Sequence, residues 1–212
     1  MKSIIKRYLF KILPIYNRFF GRNIIPLKYR LFGRKKLGHG NFLDIQSNVI
    51  LKNCNIKIIG QNCKLFIGDG CKLIGAKFLI MGNDSKIIIN SGTTINASNT
   101  QPTVINAIEG KSIVIGKDCM LSNNIEIHNS DYHTILNSES LRINDAEDIV
   151  VGNHVWIGFR SILLKGTKVG DNTIIASNTL VNKNFEKEEN VLIAGIPGRV
   201  VRKNINWCRQ LI

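Results

Sequence analysis

An aliphatic residue returns every six positions through the second half of this chain, and that period excludes most folds. It opens residues 151–156 (VGNHVW), 157–162 (IGFRSI), 163–168 (LLKGTK), 169–174 (VGDNTI) and 175–180 (IASNTL), and Val181 starts a sixth step. A small residue usually follows it. Small or β-branched residues hold the fifth place: Val155, Ser161, Thr167, Thr173 and Thr179. Neither the helix period of 3.6 nor the strand period of 2 gives this pattern. A six-residue repeat fits a parallel β-helix, with one hexapeptide per flat face and three faces per coil. Stacked coils then hydrogen-bond to one another about 4.8 Å apart.

The pattern extends upstream. Residues 115–120 (IGKDCM) and 121–126 (LSNNIE) keep the phase of the later block, and the 36 residues from Ile115 to Val151 read as two coils. Residues 59–64 (IGQNCK), 67–72 (IGDGCK), 73–78 (LIGAKF) and 89–94 (INSGTT) repeat it with slips in phase, so loops or irregular corners are expected in the early coils. At 212 residues the chain suits one domain with a substantial core. Its 44% apolar content with few aromatics suits stacked Ile, Val and Leu columns, and its many Gly and Asn suit tight corners.

Five cysteines are present. Cys63, Cys71 and Cys119 take the fifth place, so they are expected as small buried members of a column. No zinc-ligand spacing and no disulfide framework appear, which points to a reduced, cytosolic chain.

The net charge of +14 is concentrated at one end: residues 1–43 hold eleven Lys and Arg and no Asp or Glu. Basic residues interrupt the apolar runs there too often for a membrane span or a signal-peptide core. Residues 2–13 suit an amphipathic helix ended by Pro14. Two roles stand open for this segment: a cap on the first coils, or contact through residues 1–36 with an anionic membrane face. No nucleic-acid motif accompanies the charge.

Four histidines are available for chemistry: His39, His128, His133 and His154. His133 lies where the repeat breaks, before residues 134–148, which match no hexapeptide and read as a projecting loop.

The stretches 149–183 and 191–203 (VLIAGIPGRVVRK) resemble the C-terminal half of the hexapeptide-repeat acyltransferases. The likeness covers about residues 55–204 and is most specific in VGNHVWIG, in the VNK at 181–183 that closes the regular coils and in AGIPGRVVR. It is closest to the branch that acetylates sugar hydroxyls of capsule, O-antigen or exopolysaccharide, through an Asp-x-His element matched by Asp131-Tyr132-His133. The resemblance implies a left-handed β-helix, acetyl-CoA as co-substrate with no tightly bound cofactor, a glycan or sugar acceptor, and a homotrimer. It makes His133 the base, with Asp131 either orienting the imidazole or capping the corner. Trp156 maps near the acyl-CoA thiol end, and Gly158, Ala176 and Ser177 to small positions along the pantetheine arm. Lys183, Arg199 and Arg202 map near the CoA phosphates. Asn123 and Asn124 precede the histidine corner and are candidates for acceptor hydroxyls.

A metal-binding γ-carbonic-anhydrase-like protein is the rival from another class. The spacing of His128 and His133 fits its paired ligands, but the third histidine would fall near residue 92, which is Gly. Two further rivals are an amino-sugar or xenobiotic acetyltransferase and a non-enzymatic β-helix scaffold. The expected architecture is all-β: a basic N-terminal helical or capping segment (1–43), a β-helix acyltransferase domain (44–200) and a short C-terminal helix (201–212). The enzyme is expected in the cytoplasm, at the inner face of the membrane if the basic segment binds lipid.

Overall fold

The computed structural model describes residues 22–27 and 33–211. The chain passes repeatedly over three faces, and each face is a sheet of stacked strands, one seven-stranded and two eight-stranded. All ladders between consecutive coils are parallel. Identical register from coil to coil builds continuous apolar columns. One runs Ile56, Phe78, Ile105, Ile127, Leu163 and Val181. Another runs Leu51, Leu73, Ile95, Leu121, Ile157, Ile175 and Ile193. These side chains are almost wholly buried, apart from the partly buried Leu51, which is why an aliphatic must recur at each repeat.

The other repeat positions have equally local reasons. A Cβ on Gly116 would lie 2.2 Å from the Gly152 carbonyl oxygen of the neighbouring coil, so the second place must be small. The fifth-place groups sit at buried corners and donate across to the next coil: Ser161 Oγ to the Ala176 carbonyl (2.9 Å), Thr167 Oγ1 to Val181 (2.9 Å) and Cys119 Sγ to Gly152 (3.2 Å). Cys63, Cys71 and Cys119 are buried free thiols, as expected, and burial pushes Cys71 and Cys119 up to about 11. Asn residues fill left-handed corners, among them Asn62, Asn124, Asn172 and Asn178.

Coil length is not constant. Along the eight-stranded face that ends at Val191–Gly195, strands recur after 22 residues, then 26, then 36, and finally 18. The two-coil reading of the 36-residue interval is therefore corrected: Ile115 pairs directly with Val151 in adjacent strands. The additional residues form an excursion between strands Glu126–His128 and Ile149–Val151, with its own antiparallel bridge from Leu136 to Arg142. Six-residue strands in the early coils, such as Ala76–Met81, account for the phase slips upstream.

The ends of the stack also differ from expectation. Gly198–Lys203 is a strand running antiparallel to Val191–Gly195, and no helix follows; residues 204–211 continue as an irregular strap. The strap's side chains bond to the side of the prism, and those contacts replace the helix expected at 201–212. Within the basic segment, Arg22–Leu27 and Gly33–Lys36 are antiparallel strands on Cys54–Ile59 and Phe42–Ile45, not helix. Antiparallel caps use up open edges that would otherwise template aggregation. The helix expected at 2–13 lies outside the described residues. Among the described residues, no helix is long and apolar enough to cross a membrane.

Candidate active site

The excursion leaves the prism at Asn129, and polar side chains fasten its base. Ser130 Oγ donates to Glu109 Oε1 (2.5 Å), and Arg142 Nη2 reaches Glu109 Oε2 (2.6 Å). These two donors, the Ser130 hydroxyl first, hold the Glu109 carboxyl below its usual range. Asn144 is buried, and its side chain staples the loop: Nδ2 donates to the His133 carbonyl (2.7 Å) and Asp131 Oδ2 (2.9 Å), while Oδ1 accepts from Ile135 N–H (2.7 Å).

This corner carries the candidate base. The His133 side chain is exposed, and among the described residues its imidazole has no hydrogen-bond partner. Asp131 makes no hydrogen bond to it. Its carboxylate is engaged by Lys165 Nζ (2.6 Å) and Asn144, and the Lys165 contact is the main cause of its lowered pKa. Between them, Tyr132 sits in the left-handed region at φ 64°. That conformation costs an L residue about 1–2 kcal/mol and must be held by contacts. The Tyr132 hydroxyl lies 3.0 Å from His128 Nδ1 and accepts from Asn106 Nδ2 (2.5 Å). His128 Nε2 in turn contacts Glu126 Oε2 (3.2 Å). His128 therefore belongs to a hydrogen-bonded cluster. Among the described residues, no group of three or more His, Cys, Asp or Glu could hold a metal ion.

A second cluster surrounds Trp156. Its ring is 38% exposed and lies 6.2 Å from Trp207, the only other tryptophan of the chain. Trp207 stacks on His154 at 4.1 Å, and its Nε1 donates to the His154 carbonyl (2.9 Å). His154 Nδ1 meets Asp118 (2.7 Å), and Arg209 grips the same carboxylate at 3.0 and 3.1 Å. On the other side of Trp156, Gly158 lies against the backbone of Ala176 and Ser177. A Cβ there would be 2.6 Å from Ser177 N, so the fold itself demands glycine. Trp156, Ile174, Leu192 and Arg202 are successive partners on one face, which places Arg202 about 14 Å along the stack from Trp156. Lys183 and Arg199 are exposed beside that end of the prism. Asn123 Nδ2 is tied to Gln101 Oε1 (3.0 Å), and Asn124 is a left-handed corner.

The two clusters do not meet within one chain. His133 sits at the corner after the strand Glu126–His128, on the seven-stranded face, whereas Trp156 lies on the face opposite that corner. Sequence reasoning missed Lys165, Asn144, Asn106, Glu109 and the strap residues Trp207 and Arg209. Each acts through a partner elsewhere in the sequence, and Lys165 holds a third place that the repeat leaves variable.

The chain thus stacks hexapeptide coils, with an exposed histidine on a braced corner and a half-exposed tryptophan on another face, the architecture of a hexapeptide-repeat protein. Residues 148–183 match the family described as bacterial transferase hexapeptide (six repeats). The polysialic acid O-acetyltransferase of Neisseria meningitidis is 34% identical over 191 residues, spanning 82% of this chain and 88% of that protein. The crystal structure of the polysialic acid O-acetyltransferase OatWY superposes with a TM-score of 0.60 at 30% identity, covering 82% of this chain and 90% of that one. The polySia-specific acetyltransferase NeuO gives 0.63 at 24% identity, covering 81% and 79%. The chain belongs to the hexapeptide-repeat O-acetyltransferase family that contains these enzymes.

Proposed function

We propose that this chain transfers an acetyl group from acetyl-CoA to a hydroxyl of a sialic acid polymer in a bacterial capsule. The observation that carries the reading is the likeness to a polysialic acid O-acetyltransferase over most of both chains. The charge agrees with it. A polyanionic acceptor accounts for eleven basic residues in a segment of 43 that holds no Asp or Glu more directly than a cap does.

In this reading the His133 imidazole accepts the proton of the sugar hydroxyl as that oxygen attacks the thioester carbonyl. Backbone N–H groups at a coil corner stabilise the oxyanion. Collapse expels the CoA thiolate, which takes the proton back from His133, so ester and free thiol form with no acyl-enzyme. Asp131 braces the corner through Lys165 and Asn144. Trp156, Gly158, Ala176 and Ser177 border the thiol end and pantetheine of the donor. Lys183, Arg199 and Arg202 meet its phosphates by charge and bidentate geometry. Asn124, at the corner beside the tethered Asn123, faces the acceptor side.

The coils wind in the left-handed sense, and the working unit is a homotrimer. Base and donor-binding cluster occupy opposite parts of one prism, so a second chain must bring them together. Ile135, Leu136, Leu141 and Ile143 of the excursion are each more than half exposed, and a neighbouring chain covers them. The enzyme works in the cytoplasm, and the basic N-terminus keeps it where the polymer is made, at the inner face of the membrane.

Acetyl-CoA turnover, read as thiol release, tests the reading across oligosialic acid, a neutral polysaccharide and an amino sugar. Turnover is expected with oligosialic acid alone. Turnover restricted to the amine would replace the reading with N-acetyl transfer.

A further inference from the structure

We propose that His128, Tyr132 and Asn106 form a latch that positions His133, so that Tyr132 acts in the transfer through its neighbour. The proposal rests on the reading of His133 as the base.

Three observations converge. Tyr132 is held at φ 64°, a backbone conformation that a bulky side chain avoids unless its contacts favour it. Its hydroxyl is placed between His128 Nδ1 and Asn106 Nδ2, while its N–H donates to Ser130 Oγ (3.1 Å). The flanking residues are secured by other groups, Asp131 by Lys165 and the His133 carbonyl by Asn144. Of the three consecutive side chains, the imidazole of His133 is the one left without a partner among the described residues.

The tautomers are consistent with this arrangement. When His128 Nε2–H donates to Glu126, Nδ1 is free to accept from the Tyr132 hydroxyl. Asn106 then donates an N–H to that hydroxyl's oxygen, while its 3.2 Å approach to Nδ1 is a contact, since the one lone pair there is taken by the Tyr132 hydroxyl. Glu126, His128 and Asn106 stand on neighbouring strands of one sheet, with Asn106 and His128 in direct register. The latch thus ties a strained corner to two rigid coils. Such fixation raises rate by holding a reacting group in its productive geometry.

The test is steady-state kinetics of the full chain with acetyl-CoA and oligosialic acid. Tyr132→Phe keeps the ring and removes the hydroxyl. It is expected to lower kcat about tenfold with KM for acetyl-CoA unchanged. His128→Gln should fall by a similar factor, and the double variant no further, because the residues act as one unit. In a His133→Ala background, Tyr132→Phe should change nothing more. A normal kcat for Tyr132→Phe overturns the latch, while a large loss in His133→Ala alone keeps the base assignment standing. A loss by Tyr132→Phe that persists without His133 overturns positioning and makes Tyr132 a group that acts by itself. Near-normal turnover of His133→Ala removes the base reading and the latch with it. Thermal melting of each variant separates these outcomes from misfolding. If Tyr132→Phe does not fold, Asn106→Ala takes its place with the same expectations.

Discussion

In the proposed reading, proton transfer falls to the His133 imidazole, which makes no hydrogen bond among the described residues. His133→Ala is expected to lower kcat at least about a hundredfold, the usual scale for a lost general base, with CoA binding retained; His154→Ala serves as comparison. Turnover within a few-fold of wild type would remove the assignment. The bracing carboxylates give a pH signature. Asp131 and Glu109 both have lowered pKa values in the folded chain. Their contribution is thus present above the unfolded carboxylate values and is lost as pH falls through the depressed folded ones. Both are well exposed to solvent screening, so the effect on global stability is small. Locally it should be visible: amide exchange in 129–148 is expected to rise below about pH 4, ahead of exchange in the coils. Coincident rise of loop and coils would show that these ion pairs do not hold the excursion.

At the scale of elements, the C-terminal strap replaces the helix that the sequence suggested. Its anchors are Trp207 against His154 and Arg209 on Asp118, and they cross to coils 53 and 91 residues earlier in the chain. The Asp118 carboxyl is held low despite its partial burial because His154 and Arg209 both bond it. Arg209→Ala is expected to cost about 1 kcal/mol, since the pair is partly exposed, which for a chain of this size lowers Tm by roughly 2–4 °C. Tryptophan fluorescence should shift as well, because Trp207 then moves relative to Trp156. An unchanged spectrum and Tm would mean that the strap is held elsewhere. The excursion is the second such element, and it carries the candidate base. It adds a full turn's worth of sequence to one coil while the ladder beneath continues from Ile115 to Val151.

At the scale of the whole molecule, the separation of His133 from Trp156 makes a direct prediction. In the proposed homotrimer, mixed assemblies of His133→Ala and Trp156→Ala chains, refolded or coexpressed, should recover activity that neither variant has alone, because some sites then combine an intact base with an intact donor face. No recovery would overturn the shared-site reading. The basic N-terminus admits a cleaner test than removal of residues 1–36, since 22–27 and 33–36 cap two sheets. Deletion of residues 1–21 leaves those caps and removes five Lys and Arg. A raised KM for oligosialic acid, steeper at low salt, identifies the acceptor as the partner of this charge. Lost binding to anionic vesicles with an unchanged KM identifies the membrane.

The six-residue period determined the β-helix, the aliphatic columns, the buried fifth-place thiols and hydroxyls, and the Asn corners. Each of those is enforced by the coil directly above or below, so the same local demand repeats in every turn and becomes visible along the chain. The VGNHVWIG and Asp-x-His stretches marked the acyltransferase class and the candidate base for the same reason: their residues are contiguous. The structure alone decided that Ile115 and Val151 are one coil apart, because the excursion lengthens that coil by the span of a whole later coil and so keeps its phase. It likewise decided that Asp131 serves Lys165, that Tyr132 turns back onto His128, and that Trp207 and Arg209 lie along the prism. Those contacts join side chains across coils whose lengths vary from 16 to 36 residues. No fixed spacing in the sequence can record them; only the stacking of the coils brings them within hydrogen-bond reach.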